Sequence, residues 1–496
     1  MRTSVKALTL MVCALHTLAP AASQASEAVS RLFGYLEHNN LYNGVVLVVD
    51  RGAIVYERSL GHANFEWDIP NTVDTRFKIG SISKQFAAML IMQLVAEDLI
   101  SLDDPVAKFL PEIGREWADR VTIHQMLCQT SGIPNYTLLE GYLEGIDMRR
   151  FTMDEFFELL IGNVLLDSLH FEPGTEFDYS NTNYFLAGLI IERITGEPYD
   201  SVLRRKILDP LDMKDTGAFD DLKLVRRRAY GYEKAPDDTY EPTKFSSTSP
   251  KSVPSGGLYS TARDMYKWHK GLQTNALLSP EMMSRYLGPH YMFSETEGYG
   301  YGNYYETYVT EALDTLAIFE HGGSSFGTST MFYRIPAADQ CIVLLMNGGL
   351  GRETFLSSIA YAIIDILHGG QPDMPKCPLL GTVGYTLIAK GIGPMREHYR
   401  YLKTHRPDAY RFTPQDLSVL GHVVIQILGD RAGAEGVFLL NVEEYPEEAL
   451  PYADIGRHYL QDARYEEAGA HLRKALAISD DDEIRNLLER AESQID

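Results

Sequence analysis

The chain has 496 residues, 45% hydrophobic and 23% charged, so it carries material for a large core and reads as globular rather than disordered. Its 68 acidic residues against 45 basic ones leave a net charge of −23 and a pI near 5.0. A surface that acidic repels phosphates, which argues against nucleic acid and anionic membranes as partners.

Residues 1–25 read as a signal peptide. Arg2 and Lys6 precede a mostly apolar stretch from Ala7 to Leu18, and the small residues around Ser23-Gln24-Ala25 suit a signal peptidase. The stretch is too short to span a bilayer comfortably, His16 interrupts it and Pro20 follows. The expected product is exported, periplasmic or secreted, with no membrane span. Cys13 leaves with the leader. Cys128, Cys341 and Cys377 remain without metal-type spacing; the first two are expected as small core hydrophobes, and at most one disulfide can form.

The first expected elements are a helix, "VSRLFGYLEHNN", and a hairpin of "GVVLVVD" and "AIVYERSLG" turning at Asp50-Arg51-Gly52. "FKIGSISKQFAAMLIMQLV", residues 77–95, is apolar on nearly every side after Lys84 and Gln85, which predicts a buried helix over 81–97. Residues 100–230 read as mainly helical, with turns at "TSGIPNY" and "FEPGTEFDYSN", before a loop-rich stretch. "STARDMYKWHKGL" opens with a helix-capping box. Strands return at "LAIFEHGG", "STMFYRIP" and "QCIVLLMN", and a helix over 354–367 closes the unit. Strands at both ends with helices between predict one sheet completed by distant parts of the chain, an α+β or α/β layered domain over residues 26–370.

Composition changes beyond residue 370. Residues 371–380 read as a linker and 381–496 as helical. "YADIGRHYLQDARYEEAGAHLRKALAISDDD" matches a tetratricopeptide unit, with Tyr452, Ile455, Gly456 and Tyr459 lining one helix and Ala468, Leu472 and Ala475 the next. A looser copy places Gly421 thirty-five residues before Gly456, and "IAKGIGPMREHYRYLKTHRPD" reads as a degenerate unit ahead of both. Such arrays bury their cores by stacking and serve either as a brace or as a face for a protein partner.

The chemistry starts from a cost. A lysine in so apolar a helix must be offset by specific partners. Ser81 and Lys84, at i and i+3, share a face. Desolvation lowers a lysine pKa, so Lys84 can take the proton that keeps a serine hydroxyl unreactive. Ser83, beside Lys84, cannot share its face. Alone, Ser-x-x-Lys is weak evidence, since an N-cap serine with a solvated lysine looks the same. Company changes that. Tyr179-Ser180-Asn181 opens a second apolar helix: Tyr179, its pKa lowered by nearby cations, is the expected base, and Asn181 a positioning residue for substrate and Lys84. Tyr301-Gly302-Asn303 is the rival, set aside because Tyr301 reads as lying in or beside a strand. His321-Gly322-Gly323 lets a substrate backbone approach a strand, and the Ser324 N–H joins the Ser81 N–H as a candidate oxyanion hole. No metal or other cofactor is called for.

Together these stretches resemble the class C β-lactamase and penicillin-binding-protein-like serine hydrolases. The resemblance rests on "FKIGSISKQFAAMLIMQLVAEDLISLDDPVAKFLPEI", "TSGIPNY", "FEPGTEFDYSNTNYFLAGLIIERITG", "PLDMKDTG", "SGGLYSTARDMYKW" and "HGGSSFGTSTMFYRIP", in the family's order across residues 30–370. It implies an acyl-enzyme on Ser81, proton handling by Lys84 and Tyr179, positioning by Asn181, and His321-Gly322-Gly323 as the substrate-binding strand. It also implies a β-lactamase/transpeptidase-like fold: an antiparallel sheet flanked by helices, a mostly helical lobe, and the site in the cleft between them. Two departures stand out. Penicillin-active relatives carry Lys-Thr-Gly where this chain has His-Gly-Gly, and a histidine is largely neutral at pH 7. Gln129 fills a place where many relatives have histidine. Esters, or D-amino-acid peptides and amides, are therefore expected over β-lactams. The rivals are a D,D-carboxypeptidase or D-aminopeptidase, and a non-catalytic binding protein working through its repeats.

Overall fold

The computed structural model describes residues 24–138, 151–219, 223–235, 239–243, 253–325, 327–349 and 352–495. The expected leader, up to residue 23, lies outside the described residues. The chain forms two compact units. The first is built from the chain up to Tyr232, Pro242–Gly349 and Leu356–Met374; the second from Glu233–Glu241, Leu350–Phe355 and Pro375–Asp496. The units thus divide inside the expected linker, and two short segments from mid-chain group with the C-terminal part.

The first unit is organised on an eight-stranded antiparallel sheet. Its strands are β1 (Gly44–Asp50), β2 (Ala53–Leu60), β3 (Tyr291–Met292), β4 (Glu297–Tyr299), β5 (Tyr304–Val309), β6 (Thr315–Ser325), β7 (Thr328–Ile335) and β8 (Gln340–Met346). They lie in the order β3-β4-β5-β6-β7-β8-β1-β2. The N-terminal hairpin therefore closes on the last strand, with Leu47 opposite Val343. Its turn works because Arg51 and Gly52 both take positive φ, 49° and 74°, the twist a two-residue hairpin needs. β1 up to Val49 and β8 from Cys341 are unbroken apolar runs because both faces are covered. Val45, Leu47 and Val49 share one core with the helices beyond. A helix over 24–38, α1, sets Phe33 against Tyr42 and Tyr56. The last helix, α5 (Glu353–Leu367), sends Tyr361 to Glu306 and Asp365 to Tyr308.

The helical lobe is led by α2 (Ser83–Ala96), buried without interruption from Ser83 to Leu94. The expected helix start is corrected: Gly80–Ile82 forms a separate 3₁₀ turn, and the α-helix begins at Ser83. α3 (Asn181–Thr195) packs beside it, ended by Gly196 in the left-handed region. Gly188 of α3 lets the 253–256 turn approach; a β-carbon there would fall 2.2 Å from Pro254. α4 (Ala262–Leu272) is capped by Thr261 as the sequence predicts, and its Trp268 stacks on Phe86 of α2. Cys128, Cys341 and Cys377 are all buried, and no disulfide joins them among the described residues. No helix of the described residues is long and apolar enough to cross a membrane.

The second unit is helical: α6 (Tyr385–Lys390), α7 (Ile392–His405), α8 (Pro414–Leu428), α9 (Arg431–Glu444), α10 (Ala449–Gln461), α11 (Tyr465–Ile478) and α12 (Asp482–Glu492). The two glycines that the sequence sets in register each receive a bulky side chain from the following helix. A β-carbon on Gly421 would lie 2.3 Å from the Phe438 ring, and one on Gly456 would lie 2.7 Å from Leu472. Gly456→Val is expected to destabilise this helix pair by about 1–3 kcal/mol, the usual cost of overpacking. A lower urea midpoint by circular dichroism would show it, and an unchanged midpoint would contradict the close packing.

Candidate active site

Ser81 sits in the 3₁₀ turn between strand residues 77–78 and α2. Gly80 reaches it at φ +50°, where a β-carbon would strike the backbone of Gly323 and Ser324 at 2.8–2.9 Å. A glycine is therefore required on the nucleophile side of this contact. Ser83 is spent structurally: its hydroxyl donates to the Gly80 carbonyl at 2.6 Å and accepts the Leu258 N–H at 3.1 Å.

Lys84 is fully buried. Its Nζ lies 2.7 Å from Asn181 Oδ1, 2.5 Å from the Ser255 carbonyl and 3.0 Å from Ser81 Oγ. No carboxylate is among these partners, and burial holds its pKa well below the ordinary value. Hydrogen-bond bookkeeping then orients the amine. A neutral amine has two N–H donors and one lone pair, and two of its neighbours are carbonyl oxygens that can only accept. In the neutral form both donors go to Asn181 and Ser255 and the lone pair is left for the Ser81 hydroxyl; in the charged form the third N–H donates to Ser81 Oγ.

Tyr179 completes the cluster. Its ring lies 4.8 Å from Lys84 Nζ, and Ser81 acts on its hydroxyl to lower the pKa. The expectation of a lowered pKa is corrected here. Burial raises Tyr179 well above the ordinary tyrosine value, outweighing the effect of Ser81. The expected cations are missing: Lys84 is driven toward neutrality and His321 is held neutral. Tyr179 is therefore a phenol that can give a proton. The rival Tyr301 faces elsewhere, its hydroxyl 2.7 Å from His124 Nδ1 and its ring stacked on His290.

The loop carrying Tyr179 and Asn181 is fixed by residues whose part the sequence left open. Gln129 Oε1 accepts from the Ser180 N–H at 3.1 Å and from Asn183 Nδ2 at 2.7 Å. That answers what the glutamine does: it anchors the mouth of α3. Asn135, within the "TSGIPNY" motif, accepts from Asn181 Nδ2 at 3.3 Å and so turns Asn181 Oδ1 toward Lys84. Ser255 enters through a backbone carbonyl, which carries no side-chain signal, and Tyr136 pins its hydroxyl at 2.9 Å.

His321, Gly322 and Gly323 lie on β6 as expected. β5 pairs β6 only as far as Glu320, so from His321 to Ser325 one edge of the strand has no neighbouring strand among the described residues. Gly323 packs on the nucleophile turn, where a β-carbon would fall 2.0 Å from the Ile79 carbonyl. Thr330 bridges Ile79 and Gly323 at 3.1 and 3.2 Å. His321 Nδ1 faces the Gly322 carbonyl at 2.6 Å and must donate, leaving Nε2 to accept from the Tyr299 hydroxyl at 3.3 Å. Burial, with Lys84 nearby, pushes the imidazole pKa down to about 3.

Sheet, lobe and a serine bonded to a buried lysine define the class of penicillin-binding-protein-like serine hydrolases. The chain belongs to the Beta-lactamase family, whose model matches residues 30–362. It is 29% identical over 337 residues to Esterase EstB of Burkholderia gladioli, covering 61% of this chain and 84% of that one. Its fold matches a penicillin binding protein from Bacillus halodurans at a TM-score of 0.57 and 26% identity, over 68% of this chain and 97% of the other. An octameric penicillin-binding protein homologue from Pyrococcus abyssi matches at a TM-score of 0.60 and 26% identity, over 71% and 79%.

The neutral His321 has a consequence for stability. Its native ring takes no proton until about pH 3, whereas an unfolded histidine takes one below about pH 6.5. The unfolded state therefore binds more protons in that window, and stability is lost as pH falls. His321→Gln is expected to flatten that loss by about 1.4 kcal/mol per pH unit below ~6.5. Paired urea melts of the two proteins at about pH 6.5 and 4.5 would read it; identical losses would place the ring in a protonatable setting.

Proposed function

We propose that the protein is an exported hydrolase of neutral esters or amides working through an acyl-enzyme on Ser81. The orientation of Lys84 carries this reading. Ser81 Oγ attacks the substrate carbonyl while its proton passes to the Lys84 lone pair. The N–H groups of Ser81 and Ser324 hold the developing oxyanion, a role supported by the close approach of the Gly80 backbone to Gly323 and Ser324. As the tetrahedral intermediate collapses, Tyr179 gives its proton to the leaving group and is re-protonated from Lys84. Water then attacks the acyl carbonyl, losing its proton to Lys84, and Ser81 Oγ takes that proton as it leaves, which restores the serine and the neutral amine.

Substrate charge follows from His321. A neutral imidazole offers no permanent cation to a substrate carboxylate, which disfavours β-lactams and the D,D-carboxypeptidase reading. A D-aminopeptidase is separated from an esterase by substrate assay. Arg2, Lys6 and the apolar stretch after them support export to the periplasm or beyond. The glycine register at 421 and 456 supports a tetratricopeptide-type array, serving as a brace or as a protein-binding face.

Intact-mass spectrometry after treatment with a fluorophosphonate, and separately with a penicillin, tests the reading. A single fluorophosphonate adduct on Ser81, absent in Ser81→Ala, is the expected result. A folded protein that stays unlabelled would favour the non-catalytic binding role. A stable penicillin adduct would shift the reading to the D,D-carboxypeptidase.

A further inference from the structure

A row of aromatic rings runs from the catalytic cluster to the surface, and the mechanism uses none of it beyond its first members. Tyr291 stands opposite Tyr299 across β3 and β4, and Tyr299 stands opposite Tyr304 across β4 and β5. Residues directly opposite in an antiparallel pair share a face and touch. Tyr299 meets Tyr304 edge-on at 4.7 Å, and Tyr304 meets the His321 ring at 5.5 Å. Phe177, two residues before Tyr179, joins the row from the lobe side. It lies 4.7 Å from Phe293, 5.8 Å from Tyr291 and 5.4 Å from Tyr299.

The row is graded. Tyr299 is fully buried beside His321, Tyr304, Phe177 and Tyr291 are half-buried, and Phe293 at the outer end is 43% exposed beside an equally exposed Met292. The exposed carboxylates beside the row, Glu176, Glu295 and Glu297, are in no ion pair among the described residues, and a negative rim of this kind repels an anionic substrate. Asp178 is paired with His170 at 2.8 Å, and burial pushes the Glu320 carboxyl up to about 8. An exposed apolar end joined by ring contacts to Tyr299, and through it at 6.5 Å to the half-buried Tyr179, is more than a solvated phenylalanine needs. Aromatic walls of this kind bind flat or extended apolar groups with large area and little conformational cost.

We infer that the Phe177–Tyr291–Phe293 surface is the subsite for the substrate's apolar group, so that the enzyme selects uncharged esters or amides bearing an aromatic or extended alkyl substituent over those with a short one. This rests on the proposed Ser81 chemistry and adds to it the substrate side chain.

The test compares p-nitrophenyl acetate, octanoate and phenylacetate on the full chain and on Phe293→Ala, a surface change outside the catalytic cluster. The acetate rate, and its loss in Ser81→Ala, reports the chemistry alone. Phe293→Ala is expected to lower kcat/KM for octanoate and phenylacetate about tenfold, mainly through KM, and to leave acetate within about twofold. Equal losses on all three esters would make the row a structural support only, and no change on any would remove Phe293 from the subsite. Either result overturns the inference while leaving Ser81 as the nucleophile. Should no ester turn over, the rate of labelling by a methyl- against an octyl-substituted fluorophosphonate carries the same comparison. A protein that reacts with none of these probes contradicts both readings.

Discussion

One constraint organises the catalytic unit: an amine is held out of water with only neutral acceptors around it. Burying an ammonium without a counter-ion costs several kcal/mol, and the group relieves that cost by giving up its proton. Asn181 Oδ1 and the Ser255 carbonyl each take one N–H of Lys84, which fixes the direction of what is left. The surroundings serve that geometry. Gly188 admits the 253–256 turn that supplies the carbonyl, Asn135 turns the Asn181 amide, and Gln129 anchors the loop between them. The buried apolar stretch of α2 that surrounds the lysine is thus part of the chemistry as well as of the core.

The same neutrality extends across the cleft. Tyr179 stays a phenol and His321 an uncharged imidazole, both for the same reason, burial. On the proposed function, a site without a fixed cation would recognise its substrate by shape, backbone pairing and apolar area, the second through the edge of β6 and the third through the aromatic residues of β3 to β5.

Much of this was legible in the chain because it depends on local pattern. Ser81 and Lys84 are three apart across the start of an apolar helix, the hairpin at Arg51-Gly52 announces itself, and the His-Gly-Gly run marks a strand that something approaches closely. What was not legible depends on tertiary placement. Nothing in the sequence says that a backbone carbonyl at Ser255 will reach Lys84, because every residue has one. The direction of the Tyr179 pKa does not follow from the sequence because it depends on burial and on the electrostatics of neighbours far along the chain, Tyr304, Tyr136 and Glu320. The short strands at 291–309 escaped because they are two to six residues long and crowded with tyrosine and glycine rather than alternating cleanly. The C-terminal helices were readable from period alone, since their packing is between near neighbours.

The most direct test of the account is the titration of Lys84 itself. Selective ¹⁵N,¹³C labelling of lysine, with Lys84→Met to assign the resonance, would follow the Nζ through pH on the folded protein. The account predicts a pKa well below the ordinary lysine value of about 10.4, with the neutral amine populated at working pH. A Lys84 that titrates with the surface lysines would contradict it, because the amine would then be a permanent cation with no lone pair to offer Ser81.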